Sequence, residues 1–260
     1  MTHSWQFTGD EFDALWAGVK EEFMPDPFIH TCPPRSAEEG DRIRREAYTD
    51  IRQRCGGDLD EIVDVLVHPD IRVIVQGYGG GENLSDPGRS VRLLAARKGE
   101  VGYMVRQKPG ETVYHAEGFV VTRHDAVALG EVIARNMPEA EGGRDGEIPL
   151  DEPADTELDY SYQRSLVHHS DDEQAARAAA FQRTPAEREG LIRVEQGWSR
   201  FGPRGVLRLQ LEWRDLDGDG RYVVVPGTPP RAVGADRVRV TGLINAQIAE
   251  VVRAIKDDRA

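Results

Sequence analysis

The chain has 260 residues, 39% of them hydrophobic and 30% charged, a soluble-protein composition with enough apolar side chains for a substantial core. With 33 basic against 46 acidic residues the formal net charge is −13, which opposes contact with a phosphate backbone and excludes nucleic acid and anionic membrane as natural partners. No apolar run is long enough to span a bilayer and "MTHSWQFTGDEF" lacks a basic stretch before an apolar core, so a cytoplasmic location without membrane insertion is expected.

The first element is marked by its capping chemistry. In "FTGDEFDALWAGV", Thr8 is placed as N-cap and Glu11 at N3, with Phe7 and Phe12 at the positions of a hydrophobic staple. Phe12, Leu15, Trp16 and Val19 follow helical spacing and are expected to pack inward. The Pro-rich "MPDPFIHTCPP" ends this helix. It carries Cys32, which with Cys55 completes the cysteine count; neither lies in a C-x-x-C pair, so free thiols are expected. "SAEEGDRIRREAYTDIRQRCGG" reads as a mostly exposed helix capped by Ser36, and "DLDEIVDVLVHP" as a shorter amphipathic helix ending before Pro69.

From there the apolar period changes to two. "IRVIVQ" reads as a strand, followed by a loose Gly-rich loop, "GYGGGENLSDPGRS", at 77–90. "VRLLAAR", "VGYMVRQ" and "TVYHAEGFV" read as further strands, divided by turns at Lys98-Gly99 and Pro109-Gly110. "TRHDAVALGEVIARNM" reads as a helix that stops before Pro138. Residues 139–159 are rich in Asp and Glu and contain two prolines, the composition of a solvated connector.

Beyond it the plan recurs. A helical stretch at roughly 171–189 leads to the strand "GLIRVEQGW", the pair "VLRLQLEW" and "RYVVV", the short "RAVGA" and a last helix, "VTGLINAQIAEVVRAI". The chain is therefore expected to be one domain, 1–260, of two pseudo-symmetric halves at about 1–138 and 160–260 joined by the connector 139–159. Few parallel crossovers are available, so the fold class is α+β with a mainly antiparallel sheet flanked by helices.

"WRDLDGDGRYVVVP" opens like a calcium-binding EF-hand loop, with Asp215, Asp217 and Asp219 at the first three ligand positions and Gly220 at the bend. The twelfth position, where a bidentate Glu is required, is Pro226. Alternation of Leu207, Leu209, Leu211 and Trp213 with Arg208, Gln210 and Glu212 makes the upstream flank a strand, and Asp-Gly between strands is a hairpin signal. A tight acidic turn is expected.

Other strings fail on context. His68-Pro69-Asp70 precedes a strand rather than joining two helices, and "GYGGG" has Glu82 where the third glycine of a dinucleotide loop belongs. "GWSRF" lacks the final glycine of a nucleophile elbow, and adjacent His168 and His169 make poor co-ligands on a strand. No catalytic, cofactor or metal-binding set is indicated. The alternative is a carboxylate-based hydrolase or calcium-dependent protein built from scattered acids. Trp198 and Phe201, beside Gly and Pro in "EQGWSRFGPRG", fit either buried loop anchors or contacts for a partner.

Taken together, "SWQFTGDEFDALW", "HPDIRVIVQG" and "LEWRDLDGDGRYVVVP" before an amphipathic C-terminal helix resemble the EspG family, cytosolic chaperones of actinobacterial type VII (ESX) secretion systems. The similarity runs over nearly the whole chain in the same order. It implies two related halves around a central antiparallel sheet, and no catalytic residue, cofactor or metal. It also implies binding to a PE–PPE heterodimer through the helical tip of the PPE partner, keeping it soluble and delivering it for export. In that family the sheet and C-terminal helical part recognise the client. Mapped by element, this implies Trp198, Arg200, Phe201, Arg208, Gln210 and Glu212 as partner-binding candidates, on a protein that is a monomer or weak homodimer.

Overall fold

The computed structural model describes residues 3–20, 24–33, 35–150 and 169–259. Phe7 and Thr8 end a strand, β1 (Ser4–Thr8), and the same Thr8 starts a helix, α1 (Gly9–Lys20). The capping box forms as its spacing implies: Glu11 N donates to Thr8 Oγ1 at 3.2 Å and Thr8 N to Glu11 Oε2 at 2.8 Å. The Phe7 and Phe12 rings meet with centroids 6.4 Å apart, closing the staple. The strand before the cap is an element that helical periodicity does not reveal.

Helix α2 (Ala37–Cys55) is capped by Ser36, whose Oγ accepts from Glu39 N, and buries only Ile51 and Cys55. Helix α3 (Asp58–Val67) stops before Pro69. There follow β2 (Ile71–Gly79), β3 (Val91–Lys98), β4 (Val101–Pro109) and β5 (Ala116–Asp125), then α4 (Leu129–Asn136). Two sequence expectations shift here. The fourth strand starts at Ala116, because 110–115 form a loop closed by Gly110 N to His115 O at 3.0 Å. Residues 122–125, expected as helix, continue β5, because β4 pairs with all four and β1 with Thr122. Tertiary pairing overrides local helical spacing. The 77–90 segment is less loose than its composition: β2 runs on to Gly79 and two short 3₁₀ turns follow.

β6 (Glu147–Pro149) falls inside the stretch expected as a solvated connector, and the start of that stretch is part of the fold. Ile148 and Leu150 are buried with Phe181, Leu216, Tyr222 and Ala232, so two apolar side chains among the acids outweigh the composition. Residues 151–159 of that stretch lie outside the described residues. Helix α5 (His169–Arg183) ends earlier than expected, and β7 (Ala186–Gln196) takes over its last residues. β8 (Arg208–Leu216), β9 (Arg221–Val225), β10 (Arg231–Gly234) and α6 (Arg237–Arg259) complete the order.

Among the described residues, ten strands form one sheet in the order β1-β5-β4-β3-β2-β7-β8-β9-β10-β6, with each of these strand pairings antiparallel. With the flanking helices this is an α+β fold. The β2–β7 pair sits at the centre, from which strands step outward on both sides. One face carries Val73, Val75, Leu93, Ile192, Val194, Leu211 and Trp213 against α4 and α6. The opposite face of the first five strands carries Ile74, Leu94, Val105, Phe119 and Val121 against α1 and α3. Among the described residues, no helix is long and apolar enough to cross a membrane.

Candidate partner-binding surface

Strands β7 and β8 are joined by residues 197–207, which carry three of the candidate residues. The connection is tethered from several directions. Gly197 N donates to Asp70 O at 2.8 Å, and a Cβ there would lie 1.8 Å from Pro69 O, so only glycine fits. Gln196 is 2% exposed. Its Nε2 donates to Trp198 O at 2.7 Å and to Asp258 Oδ2 at 2.8 Å, and its Oε1 accepts from Leu207 N at 3.3 Å. Ser199, 1% exposed, accepts from Phe201 N through Oγ and from Gly202 N through its carbonyl. Gly202 turns the chain back at φ 74°.

Because the backbone between them is held inward, the two aromatic rings point out. Trp198 is 70% and Phe201 66% exposed, so neither is the buried loop anchor that aromatics beside Gly and Pro usually are. The Arg200 guanidinium lies 4.9 Å from the Phe201 ring centroid, a cation–π contact that limits the freedom of both side chains. Exposed aromatics on a pre-ordered backbone lose little entropy when a partner covers them.

Asp258, near the end of α6, anchors the loop from below. Hydrogen bonds from Ser199 and Gln196, with Arg200 close by, hold its carboxyl below the ordinary aspartate value of 3.8. A depressed folded-state value means the tether is fully present above 3.8 and is lost as pH falls through the lower, folded value. Asp258→Ala is therefore expected to loosen the loop at neutral pH, with tryptic cleavage after Arg200 and Arg204 several-fold faster than in wild type. Equal cleavage rates would show that the loop holds its shape without this carboxylate.

The other three candidates lie on β8. Arg208, Gln210 and Glu212 are exposed on one face, while Leu211 and Trp213 are buried on the other. Pairing sets them opposite Glu195, Arg193 and Leu191 of β7, which in turn face Arg72, Ile74 and Gln76 of β2. The Arg193 guanidinium bonds the Asp26 carboxylate. Glu195 Oε1 stands 4.0 Å from Arg193 Nε and 3.9 Å from Arg208 Nε. Arg208 also reaches Pro203 O at 3.4 Å, which joins the sheet face to the aromatic loop. The structure thus gathers Trp198, Arg200, Phe201 and Arg208 at one end of the hairpin, with Gln210 about 7 Å and Glu212 about 14 Å further along the strand. The same face closes beyond Glu212, where Arg214 donates to Phe181 O and Thr184 O at the end of α5.

Gln196, Ser199 and Asp258 were not legible as loop anchors, because nothing in sequence ties residue 258 to a turn 60 positions earlier. Leu191, Arg193 and Glu195 become part of the face only through strand register.

Two of the three carboxylates of the Asp-rich turn are in use. Asp215 takes Arg221 Nε at 2.7 Å and Nη2 at 2.9 Å, and Asp219 accepts from Arg144 N and the Tyr222 hydroxyl. Strands flank it on both sides, with Gly218 at φ 68° in the turn. Asp70 of the His-Pro-Asp string accepts from Gly99 N and Arg259, a structural seam between the first strands and α6. The side chains of His168 and His169 lie outside the described residues. Among the described residues, Asp10, His30 and Cys32 form one cluster of metal-ligating atoms, all within 4.8 Å of one another.

The sequence model described as the EspG family matches residues 8–254. The fold is similar to that of the Mycobacterium tuberculosis type VII secretion system chaperone EspG5, whose structure is in complex with a PE25–PPE41 dimer. The similarity has a TM-score of 0.56 at 14% identity, over 92% of this chain and 93% of that one. A search of curated proteins gives no match.

Proposed function

Since the chain belongs to the EspG family, we propose that it is a type VII secretion chaperone that binds PE–PPE substrates and keeps them soluble for export. EspG5, similar in fold, supplies the precedent for the partner class through its complex with a PE25–PPE41 dimer. In this reading the client is held through the helical tip of its PPE subunit. The chaperone works in the cytoplasm as a single domain of two pseudo-symmetric halves, monomeric or weakly dimeric, by binding alone and without a catalytic group.

The observation that carries the reading is the exposed pair Trp198 and Phe201 on a tethered loop, continuous with the open β8 face of Arg208, Gln210 and Glu212. Client tips that present apolar surface need reversible cover. A standard interface of about 1,600 Å² in total, dominated by a few aromatic and Arg residues, matches a loop and sheet face of this kind.

The test is co-expression with PE–PPE pairs from the same genome, followed by pull-down and size-exclusion chromatography. A stoichiometric complex is expected. Trp198→Ala and Phe201→Ala should each weaken it by about 2 kcal/mol, roughly 30-fold, with circular dichroism unchanged. Glu212→Arg should alter salt sensitivity and association rate more than affinity. Failure of every pair to bind the folded protein would overturn the chaperone reading. Full binding by all three variants would move the client face elsewhere on the protein.

A further inference from the structure

We propose that Asp10, His30 and Cys32 bind a divalent cation of the zinc class, at a site separate from the partner-binding surface and independent of the chaperone reading. The three side chains offer one oxygen, one nitrogen and one sulfur ligand, the donor set of a borderline metal ion. His30 Nε2 and Asp10 Oδ1 are 3.2 Å apart. The corresponding edge of a tetrahedral site with metal bonds near 2.0 Å is about 3.3 Å. One ligand atom from each of the three residues, Cys32 Sγ among them, lies within 4.8 Å of the other two. The second oxygen of Asp10 is taken by Arg35 Nη2 at 2.9 Å, an outer hydrogen bond that orients the carboxylate and leaves Oδ1 for the ion.

The site is built before anything occupies it. Gly9 forms its floor: a Cβ there would lie 2.2 Å from His30 Cε1, so only glycine lets the imidazole seat on the first turn of α1. The segment bearing His30 and Cys32 is fixed by buried Gln107, which accepts from Ile29 N at 3.1 Å and donates to Ile29 O at 2.9 Å. Arg92 Nη1 holds Pro27 O at 2.9 Å and Thr31 Oγ1 holds Tyr114 O at 3.1 Å. Cys32 and Asp13 also line a cleft of about 940 Å³ between α1 and α2, from which water or a further ligand can complete the coordination.

Loading is balanced by one proton. The cation takes the thiolate of Cys32, whose proton leaves to solvent, the ionised Asp10 and neutral His30. Metal on Nε2 moves the ring proton to Nδ1, at the expense of a long contact with Ala116 N at 3.4 Å.

The full chain, stripped with chelator and kept reduced, is titrated with Co²⁺. One equivalent should bind with a thiolate-to-cobalt charge-transfer band, release one proton, and be displaced by Zn²⁺. Cys32→Ser should abolish the band and Cys55→Ser should keep it. His30→Gln and Gly9→Ala should each weaken binding at least roughly tenfold, the second with every ligand still present. Circular dichroism and melting temperature of the apo variants check that each is folded. No band at stoichiometric Co²⁺, a band that survives Cys32→Ser, or unchanged affinity in both His30→Gln and Gly9→Ala would overturn the assignment.

Discussion

Asp215→Ala is expected to destabilise the protein by about 3–5 kcal/mol in urea or thermal unfolding. Asp215 and Arg221 form a two-pronged ion pair across the β8–β9 hairpin, with side chains 8% and 3% exposed. Truncating the acid leaves a guanidinium buried, whose one remaining side-chain hydrogen bond among the described residues is to Pro138 O at 2.8 Å. The cost is that of an uncompensated charge, not the net worth of the pair. The double variant Asp215→Ala/Arg221→Met should therefore recover much of the loss, since it removes both charges together. A loss below 1 kcal/mol for Asp215→Ala would show that water reaches Arg221 in the folded state.

Trp213→Ala is the second large effect, about 3–5 kcal/mol. The indole is fully buried on the face packed by α4 and α6, and it lies across two neighbouring strands. Gly190 of β7 pairs directly with Trp213, and Gly77 of β2 pairs with Gly190. A Cβ on Gly77 would come within 2.4 Å of the indole Cζ2, so the glycine is a slot cut for the ring. Arg221 covers the ring at 5.2 Å from its centroid. Among the described residues the indole N–H has no hydrogen-bond partner, so Trp213→Phe should cost far less than Trp213→Ala. Gly77→Ala should cost about 1–3 kcal/mol by overpacking. If Trp213→Phe and Trp213→Ala proved equally damaging in denaturant titrations, the indole nitrogen would have a role that its surroundings do not provide.

The elements read most securely from sequence are those whose local chemistry is self-sufficient. The Thr8–Glu11 capping box, the Ser36 cap and the Asp-Gly hairpin each need only a few neighbouring residues, and each forms as its spacing implies. The misread stretches are those decided by distant partners. Residues 122–125 have helical spacing but are claimed by β4, and Ile148 is drawn out of an acidic stretch by a core that includes Phe181 and Tyr222. For the candidate surface, alternation along β8 correctly places Arg208, Gln210 and Glu212 outward. The outward turn of Trp198 and Phe201 was not legible, because it depends on Gln196 and Asp258 holding the backbone inward. The Asp10–His30–Cys32 cluster escaped for the same reason: 20 residues separate the first two ligands, and a Gly-for-ring fit at Gly9 has no motif.

A sheet ten strands wide has only two ends at which another copy could add a strand, and both are blunted. At one end β6 is three residues long and ends in Pro149, which has no N–H to donate. At the other, the carbonyl of Gln6 in β1 is already taken by Arg54 Nη2 at 3.2 Å. Exposed strand edges are templates for polymerisation, and a short, proline-bearing or side-chain-capped edge is a poor one. With both edges blunted, the sheet is protected from recruiting its own copies into a growing fibre. What it meets can dock on faces and loops without being stitched in as an eleventh strand.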